Sequence, residues 1–366
     1  MPAKGLQNIV VGETRHSLVE GEKGQLVFQG YEIQDLAQHA AFEEVAYLLW
    51  YGQKPSAEQG HALRAEMAQH RSLPSGVINV LRALPEFTEP MDALRTGVSA
   101  LGAVNPGTNI DLAHAVSLTA QVASLIAVFH RLRHGLEIIP PREDLDHGSN
   151  YLYMITGSEP TAAQRAMMNV YLVLLADHGM NASTFTARVI ASTGSDLYSA
   201  VTGAIGALKG PLHGGAPRKV LDMLDAIGTA ENAETWIRDA LARKERLMGF
   251  GHRVYKTTDP RAEILRETAR TYSEPAFFRL AQTVEERALE ILHEKKPDQR
   301  LYTNVEFFSA AVMHAVGLPR DLFTATFAAS RTAGWTAHIL EQAADNRLIR
   351  PDVDYVGPTG LKWNAA

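Results

Sequence analysis

The chain has 366 residues, 46% hydrophobic and 21% charged, with a formal net charge of −6. The length exceeds what one core usually holds and predicts two domains, or one large domain with an inserted lobe, while the acidic balance offers nothing global to nucleic acid or an anionic membrane, so any anionic ligand must be met by a local cluster. Cysteine is absent, which excludes disulfides, thiolate nucleophiles and Cys-ligated metals and suits a reducing, cytoplasmic setting.

The N-terminal stretch MPAKGLQNIVVGET lacks the apolar core of a signal peptide. No apolar run approaches membrane-spanning length. Residues 9–29 carry the one β signal: LVEGEKGQLVFQG sets two short apolar runs around a Glu-Lys-Gly turn and predicts a small hairpin. Helical spacing follows. FEEVAYLLWYG puts Phe42, Val45, Ala46 and Leu49 on one face, and Gly52 and Pro55 end it. Ser56 with Gln59, and Thr161 with Gln164, read as capping boxes that open new helices.

Residues 182–208 are rich in Ala, Ser, Thr and Gly. Such helices pack closely, in the centre of the fold or at a subunit interface, and Arg188, Asp196 and Lys209 rule out a membrane reading. Residues 229–246 and 279–296 are amphipathic and charged, as in a more solvated lobe, and 322–343 return to an apolar helix. The last twenty or so residues read as a polar tail lying over the surface. The class is mainly α with a minor hairpin.

Four places join a reactive side chain to an unusual backbone setting. In KGPLHGGAP, His213 sits between a Gly-Pro turn and two glycines that permit close approach of a ligand; a loop histidine beside a helix cap is the plainer reading. In GFGHRVYKTTDPR, His252 follows Gly249 and Gly251 and precedes Arg253, Lys256, an Asp-Pro-Arg turn and Arg261, with Arg243, Lys244 and Arg246 upstream. Such a cluster suits phosphates or carboxylates, its glycines suit a hinge, and the alternative is a solvated helix end. In TNVEFFSAAV, Asn304 is a good N-cap that places Glu306 in the first turn, as a rigidly held base or simply as a complement to the helix dipole, which favours its ionised form. In FAASRTAGWTAH, Arg331 interrupts an apolar helix and needs an anion if buried. Arg350 lies further on. The i,i+4 pair His130 and His134 lacks a third ligand, so no metal site is expected. Asp177 beside His178 reads as a charge-oriented or a packed histidine.

Together these segments resemble the citrate synthase family. GFGHRVYKTTDPR is similar to its signature position for position, and KGPLHGGA, DHGMNASTFTAR, NVEFFSAAV and SRTAGWTAHILEQ follow in the family's order. QGYEIQDLA, FEEVAYLLWYG and PREDLDHGSNYLYMITG resemble its N-terminal half, so the likeness spans nearly the whole chain and its short, dimeric branch. It implies a two-domain helical fold, with residues 1–214 and 318–366 in a large domain and 215–317 in a small one that closes over the substrates. It implies condensation of acetyl-CoA with oxaloacetate, giving citrate and free CoA through an enol and citryl-CoA, in a cytoplasmic homodimer with no cofactor beyond the CoA thioester substrate. By the same resemblance His213 steadies the enol, His252 polarises the oxaloacetate carbonyl and Glu306 is the base. His178, Arg261, Arg331 and Arg350 bind oxaloacetate, with Arg350 reaching the partner's site, and Arg246, Gly249, Gly251 and Lys256 serve CoA. The family usually has Asp where Glu306 stands and Asn where Pro217 stands. A 2-methylcitrate synthase using propionyl-CoA is the near alternative, and a non-catalytic CoA- or dicarboxylate-binding homologue is the distant one.

Overall fold

The computed structural model describes residues 4–6, 9–107, 110–214, 216–252 and 254–363. Arg253, and Gly215 at the expected start of the small domain, lie outside them.

The hairpin forms over β1 (Ser17–Glu20) and β2 (Gln25–Phe28), paired antiparallel from Ser17↔Phe28 to Glu20↔Gln25. Residues 9–16 carry no strand, although the β signal began there. A third strand, β3 (Tyr31–Glu32), was not foreseen: Gln29 and Gly30 take positive φ (48° and 90°) and turn the chain back on β2.

Sixteen α-helices follow among the described residues. After α1 (Ile33–His39), α2 (Phe42–Tyr51) ends at Gly52 in the left-handed conformation. The Ser56 capping box opens α3 (Ala57–Gln69), and the Thr161 box opens α8 (Ala162–Leu175), each with reciprocal side-chain and backbone bonds. Between them lie α4 (Ser75–Arg82), α5 (Pro90–Val104), α6 (Leu112–Arg133) and α7 (His147–Thr156). By length and composition α6 is apolar enough to cross a membrane, although no unbroken apolar run signalled it, because Ser, Thr and Gln are scattered through it. It is instead a core helix, 78% of its most apolar window buried inside the fold.

The small-residue region becomes α9 (Ala182–Ser192) and α10 (Leu197–Leu208), which pack tightly on each other. The last helix, α16 (Phe323–Ala344), runs against α2, α6, α8, α9 and α10 and is buried along nearly its whole length. The charged stretches form α12 (Ala233–Ala242) and α14 (Pro275–Lys295), and around them lie α11 (Ala216–Ile227), α13 (Pro260–Tyr272) and the apolar α15 (Val305–Ala315). These five pack largely on one another, and α13 and α15 also meet α8. On α14 the apolar stripe Ala281, Val284, Ala288, Ile291 and Leu292 is buried together with Glu285, which accepts from Thr303 Oγ1 (2.6 Å), while most of the other charged residues face out. Residues 345–363 contain no helix or strand and are largely exposed.

Candidate active site

Three segments without regular structure converge on one space. The first is the turn after α10. Lys209 Nζ binds both carboxylate oxygens of Asp92 on α5 (2.7 and 2.6 Å), and the bonds His213 N–H to Gly210 O and Gly214 N–H to Leu208 O close the turn that presents His213. The His213 ring meets the start of α9. Asn181 caps that helix, accepting from the Ser183 and Thr184 N–H groups at 3.1 Å. The Ser183 hydroxyl accepts from Trp335 Nε1 (3.1 Å) and lies 2.7 Å from Asn181 Oδ1 and 2.9 Å from His213 Nε2, one of which takes its single proton. The Ser183 backbone N–H also points at Nε2, at 3.3 Å. A backbone N–H can only donate, so Nε2 accepts and the ring proton sits on Nδ1. Burial, with Arg331 adding to it, lowers the His213 pKa to about 4, so the ring is neutral at pH 7.

The second segment runs from Gly249 to Tyr255. Gly249 and Gly251 take φ of 87° and 81°, a region that side chains disfavour, and a Cβ on Gly249 would lie 2.7 Å from Phe307. The glycines therefore set a shape rather than marking looseness. Phe250 pairs with Thr303 in a single bridge; Gly251 N–H donates to Tyr302 O (2.7 Å), Asn304 N–H to Gly249 O (2.9 Å) and Asn304 Nδ2 to Gly251 O (2.9 Å). The same Asn304 accepts from the Glu306 N–H (3.2 Å), so one residue caps α15 and fastens the His252 loop to it. His252 Nδ1 accepts from the N–H groups of Val254 and Tyr255, both at 3.0 Å. Its proton is thus on Nε2, and burial, followed by the charge of Arg261, lowers its pKa to about 4.

The third segment joins α8 to α9. His178 Nε2 lies 3.2 Å from the Tyr255 hydroxyl, and its ring centroid is 5.6 Å from that of His252. Burial, and then the nearby Arg261, hold it well below the ordinary histidine range. Asp177 does not orient this ring. Its Oδ2 instead accepts from Ser17 Oγ (2.6 Å) and the Gly179 N–H (3.3 Å), with His338 Nε2 at 3.3 Å.

Two guanidiniums face this space. The Asp-Pro-Arg stretch, expected as a turn, is a helix start: Asp259 caps α13 and Pro260 takes its first position. Asp259 also grips Arg261 through two bonds (3.0 and 2.8 Å), and, against the cost of burial, raises its pKa. Arg331 is 1% exposed. Its Nε donates to Leu175 O (2.7 Å) and its Cζ lies 4.7 Å from the centre of the Phe327 ring. Among the described residues no carboxylate lies within ion-pair distance of it. Burial, opposed by Asp177, lowers it to about 10, which leaves it cationic at neutral pH. Its charge is felt at His178 and His213, as that of Arg261 is at His178, His252 and Glu306.

Glu306 stands in the first turn of α15 as expected, but burial raises its pKa more than Arg261 and its own backbone bond lower it. Burial therefore outweighs the helix dipole. Although the residue as a whole is partly exposed, Oε2 is enclosed and, among the described residues, nothing donates to it.

The structure thus brings together His178, His213, His252, Arg261, Arg331 and Glu306. Arg246 and Lys256 are exposed at the rim, electrostatically felt at Glu306 and His252 respectively. Arg350 is not with them; it is exposed and lines a separate cleft of about 1340 Å³ between the N-terminal segment and the end of α16. Sequence reasoning missed Ser183, Trp335 and Tyr255, whose roles depend on contacts across the fold. His134 Nδ1 lies 2.7 Å from His130 O. His16, His338 and Glu341 have metal-ligand spacing, but the Arg188 guanidinium already occupies their midst, 3.2 Å from His338 Nδ1 and 2.6 Å from Glu341 Oε2.

A family model described as citrate synthase, C-terminal domain, matches residues 5–352. A citrate synthase from Haloferax volcanii is 44% identical, covering 98% of this chain and 97% of its own. A 2-methylcitrate synthase from Shewanella oneidensis is 40% identical, covering 98% and 96%. Among solved structures, the ternary complex of carboxymethyl coenzyme A and oxaloacetate with citrate synthase from Thermoplasma acidophilum superposes with a TM-score of 0.92 at 32% identity, over 99% of this chain and 98% of that one.

Proposed function

The chain belongs to the citrate synthase family, acyltransferases that condense acetyl-CoA with oxaloacetate, and we propose that it runs this reaction through His213, His252 and Glu306. One observation carries the assignment. Backbone N–H groups occupy the far nitrogen of both His213 and His252, so each ring is a neutral imidazole that offers one fixed N–H to the site.

Glu306 takes a proton from the thioester methyl. A methyl beside a thioester is a very weak acid, and a carboxylate alone does not suffice. The Nδ1–H of His213 stabilises the charge that develops on the thioester oxygen. The activated carbon then attacks the keto carbon of oxaloacetate, whose oxygen is polarised by a hydrogen bond from His252 Nε2–H and takes up a proton to become the hydroxyl of citryl-CoA, balancing the proton held by Glu306. Arg261 and Arg331, with His178, hold the two carboxylates in register. Water cleaves the resulting citryl-CoA to citrate and free CoA. Arg246 and Lys256 at the rim, with the backbone of Gly249 and Gly251, serve the CoA phosphates, and no cofactor beyond the thioester substrate takes part.

The same reading assigns residues 215–317 to a small domain that closes over the substrates; the packing of α11–α15 largely on themselves supports it. It also assigns a cytoplasmic homodimer. Support comes from apolar residues exposed in both terminal segments, with Val10, Val356 and Trp363 among them. Arg350, placed away from its own chain's site, is then the residue that completes the partner's. Propionyl-CoA is the second reading, favoured by the Shewanella relative. One methylene in an apolar pocket discriminates only about 10- to 200-fold. Purified protein should release CoA from acetyl-CoA only when oxaloacetate is present, and faster than from propionyl-CoA; the reverse preference selects the second reading. The named relatives lend no support to a non-catalytic homologue.

A further inference from the structure

The tip of the N-terminal hairpin, residues 21–24, touches the loop that carries His252. Gly21 O accepts from the Lys256 N–H at 2.9 Å. A Cβ on Gly21 would lie 2.2 Å from Val254 O and 2.7 Å from Val254 C, and one on Gly24 would lie 2.8 Å from Thr257 Cγ2. An exposed pair, Glu22 with Arg300 at 3.6 Å, ties the same tip to the segment that leads into α15. At its other end the strand braces the turn that carries His178: Ser17 Oγ donates to Asp177 Oδ2 (2.6 Å) and accepts from the Gly179 N–H (2.8 Å).

The peptide pressed by Gly21 is the one whose N–H matters. Val254 C=O and Tyr255 N–H belong to one rigid unit, and Tyr255 N–H is one of the two donors to His252 Nδ1. Tyr255 also carries the hydroxyl beside His178 Nε2. Gly21 is not among the positive-φ glycines, so the hairpin itself accepts alanine there; only the loop forbids it.

We propose that the hairpin tip is a positioning element of the active site, in which Gly21 sets the Val254–Tyr255 peptide and thereby the tautomer and aim of His252, while Ser17 on the same strand fixes the His178 turn. This rests on the assignment of His252 above. The strand acts as a ruler between two substrate-facing histidines that come from distant parts of the chain.

The test is Gly21→Ala, with Lys23→Ala as a control at the same tip that leaves the loop contact intact. Gly21→Ala should lower kcat/KM for oxaloacetate about 10- to 100-fold, as displacement of a catalytic group by about an ångström does, with the thermal midpoint near the parent's. The ring ¹⁵N spectrum should show His252 losing its single Nε2–H tautomer; Lys23→Ala should match the parent in both. The spectrum keeps the two assignments separable: a parent that releases no CoA defeats the reaction, yet the tautomer still reports whether Gly21 governs His252. Parent-like turnover and ring shifts in Gly21→Ala overturn the proposal. Should that variant not fold, replacing residues 21–24 by Asn-Gly, a two-residue turn that keeps the Glu20↔Gln25 pairing, removes the Lys256 partner without a clash. It should lose turnover and tautomer alike, and parent behaviour there overturns the proposal equally.

Discussion

Replacing Glu306 by Gln keeps the shape of the side chain and removes the base. Oε2 is enclosed and receives no donor from the described residues, so the amide enters without breaking a bond to the protein. Arg261 stays clamped by both oxygens of Asp259, and Arg331 keeps its bond to Leu175 O. Oxaloacetate binding should therefore change little, and the loss should fall on proton abstraction. A positioned general base is worth about 10² to 10⁴ in rate, which sets the expected fall. The assay isolates that step. With a non-reacting oxaloacetate analogue bound, the parent should exchange the methyl protons of acetyl-CoA with deuterated solvent, and Glu306→Gln should exchange at least about 10²-fold more slowly while acetyl-CoA still binds. Glu306→Asp withdraws the oxygens by about an ångström and should slow exchange by up to about 10²-fold; a faster Asp variant means that the Glu geometry is a compromise, as for a different acyl group. Exchange at the parent rate in Glu306→Gln would refute the base and leave Glu306 a helix-start residue.

Arg331→Lys keeps the charge but loses the planar fork and the bond from Nε to Leu175 O, and should raise the oxaloacetate KM about 10- to 100-fold, in line with one or two charge-assisted bonds; steady-state kinetics at fixed acetyl-CoA decide it. Stability should fall on acidification from pH 6.5 towards 4. Burial lowers His16 and His130 from 6.5 to about 4 and His147 to about 3, so below pH 6.5 the unfolded chain binds protons that the folded chain refuses, at about 1.4 kcal/mol per pH unit for each group; urea midpoints at pH 7, 6 and 5 measure it. An Arg350→Ala chain mixed with a His252→Ala chain should regain part of the activity that each lacks, because one hybrid site receives both intact residues; no rescue despite proven subunit exchange would contradict a shared site.

Local chemistry was legible in the sequence where it is made by neighbours. The capping boxes at Ser56 and Thr161 and the N-cap at Asn304 rest on contacts within a few residues, whereas the glycine-flanked loop around His252, read as a hinge, is shaped by Phe307 and by bonds to Tyr302 and Asn304, which are distant in the chain. The short β3 escaped because two residues hold too little pattern. Asp259 was read as part of a turn, since an Asp-Pro pair opens a helix or a turn equally well. What holds His213 was invisible: Ser183 and Trp335 stand 152 positions apart in the chain. So was the partner of Asp177, which is Ser17 in the hairpin rather than the adjacent His178. The sign of the Glu306 shift depends on burial, which a helix-start motif does not reveal.

The central claim is that this site joins the methyl carbon of an acyl-CoA to the keto carbon of oxaloacetate. Acetyl-CoA labelled with ¹³C in the methyl group, oxaloacetate and purified protein, followed by NMR, tests it directly. The predicted result is labelled citrate whose ¹³C resonance lies in a methylene bonded to the tertiary carbon, formed with free CoA and only when oxaloacetate is present. Labelled acetate with free CoA, formed equally without oxaloacetate, would mean thioester hydrolysis without carbon–carbon bond formation and would contradict the account.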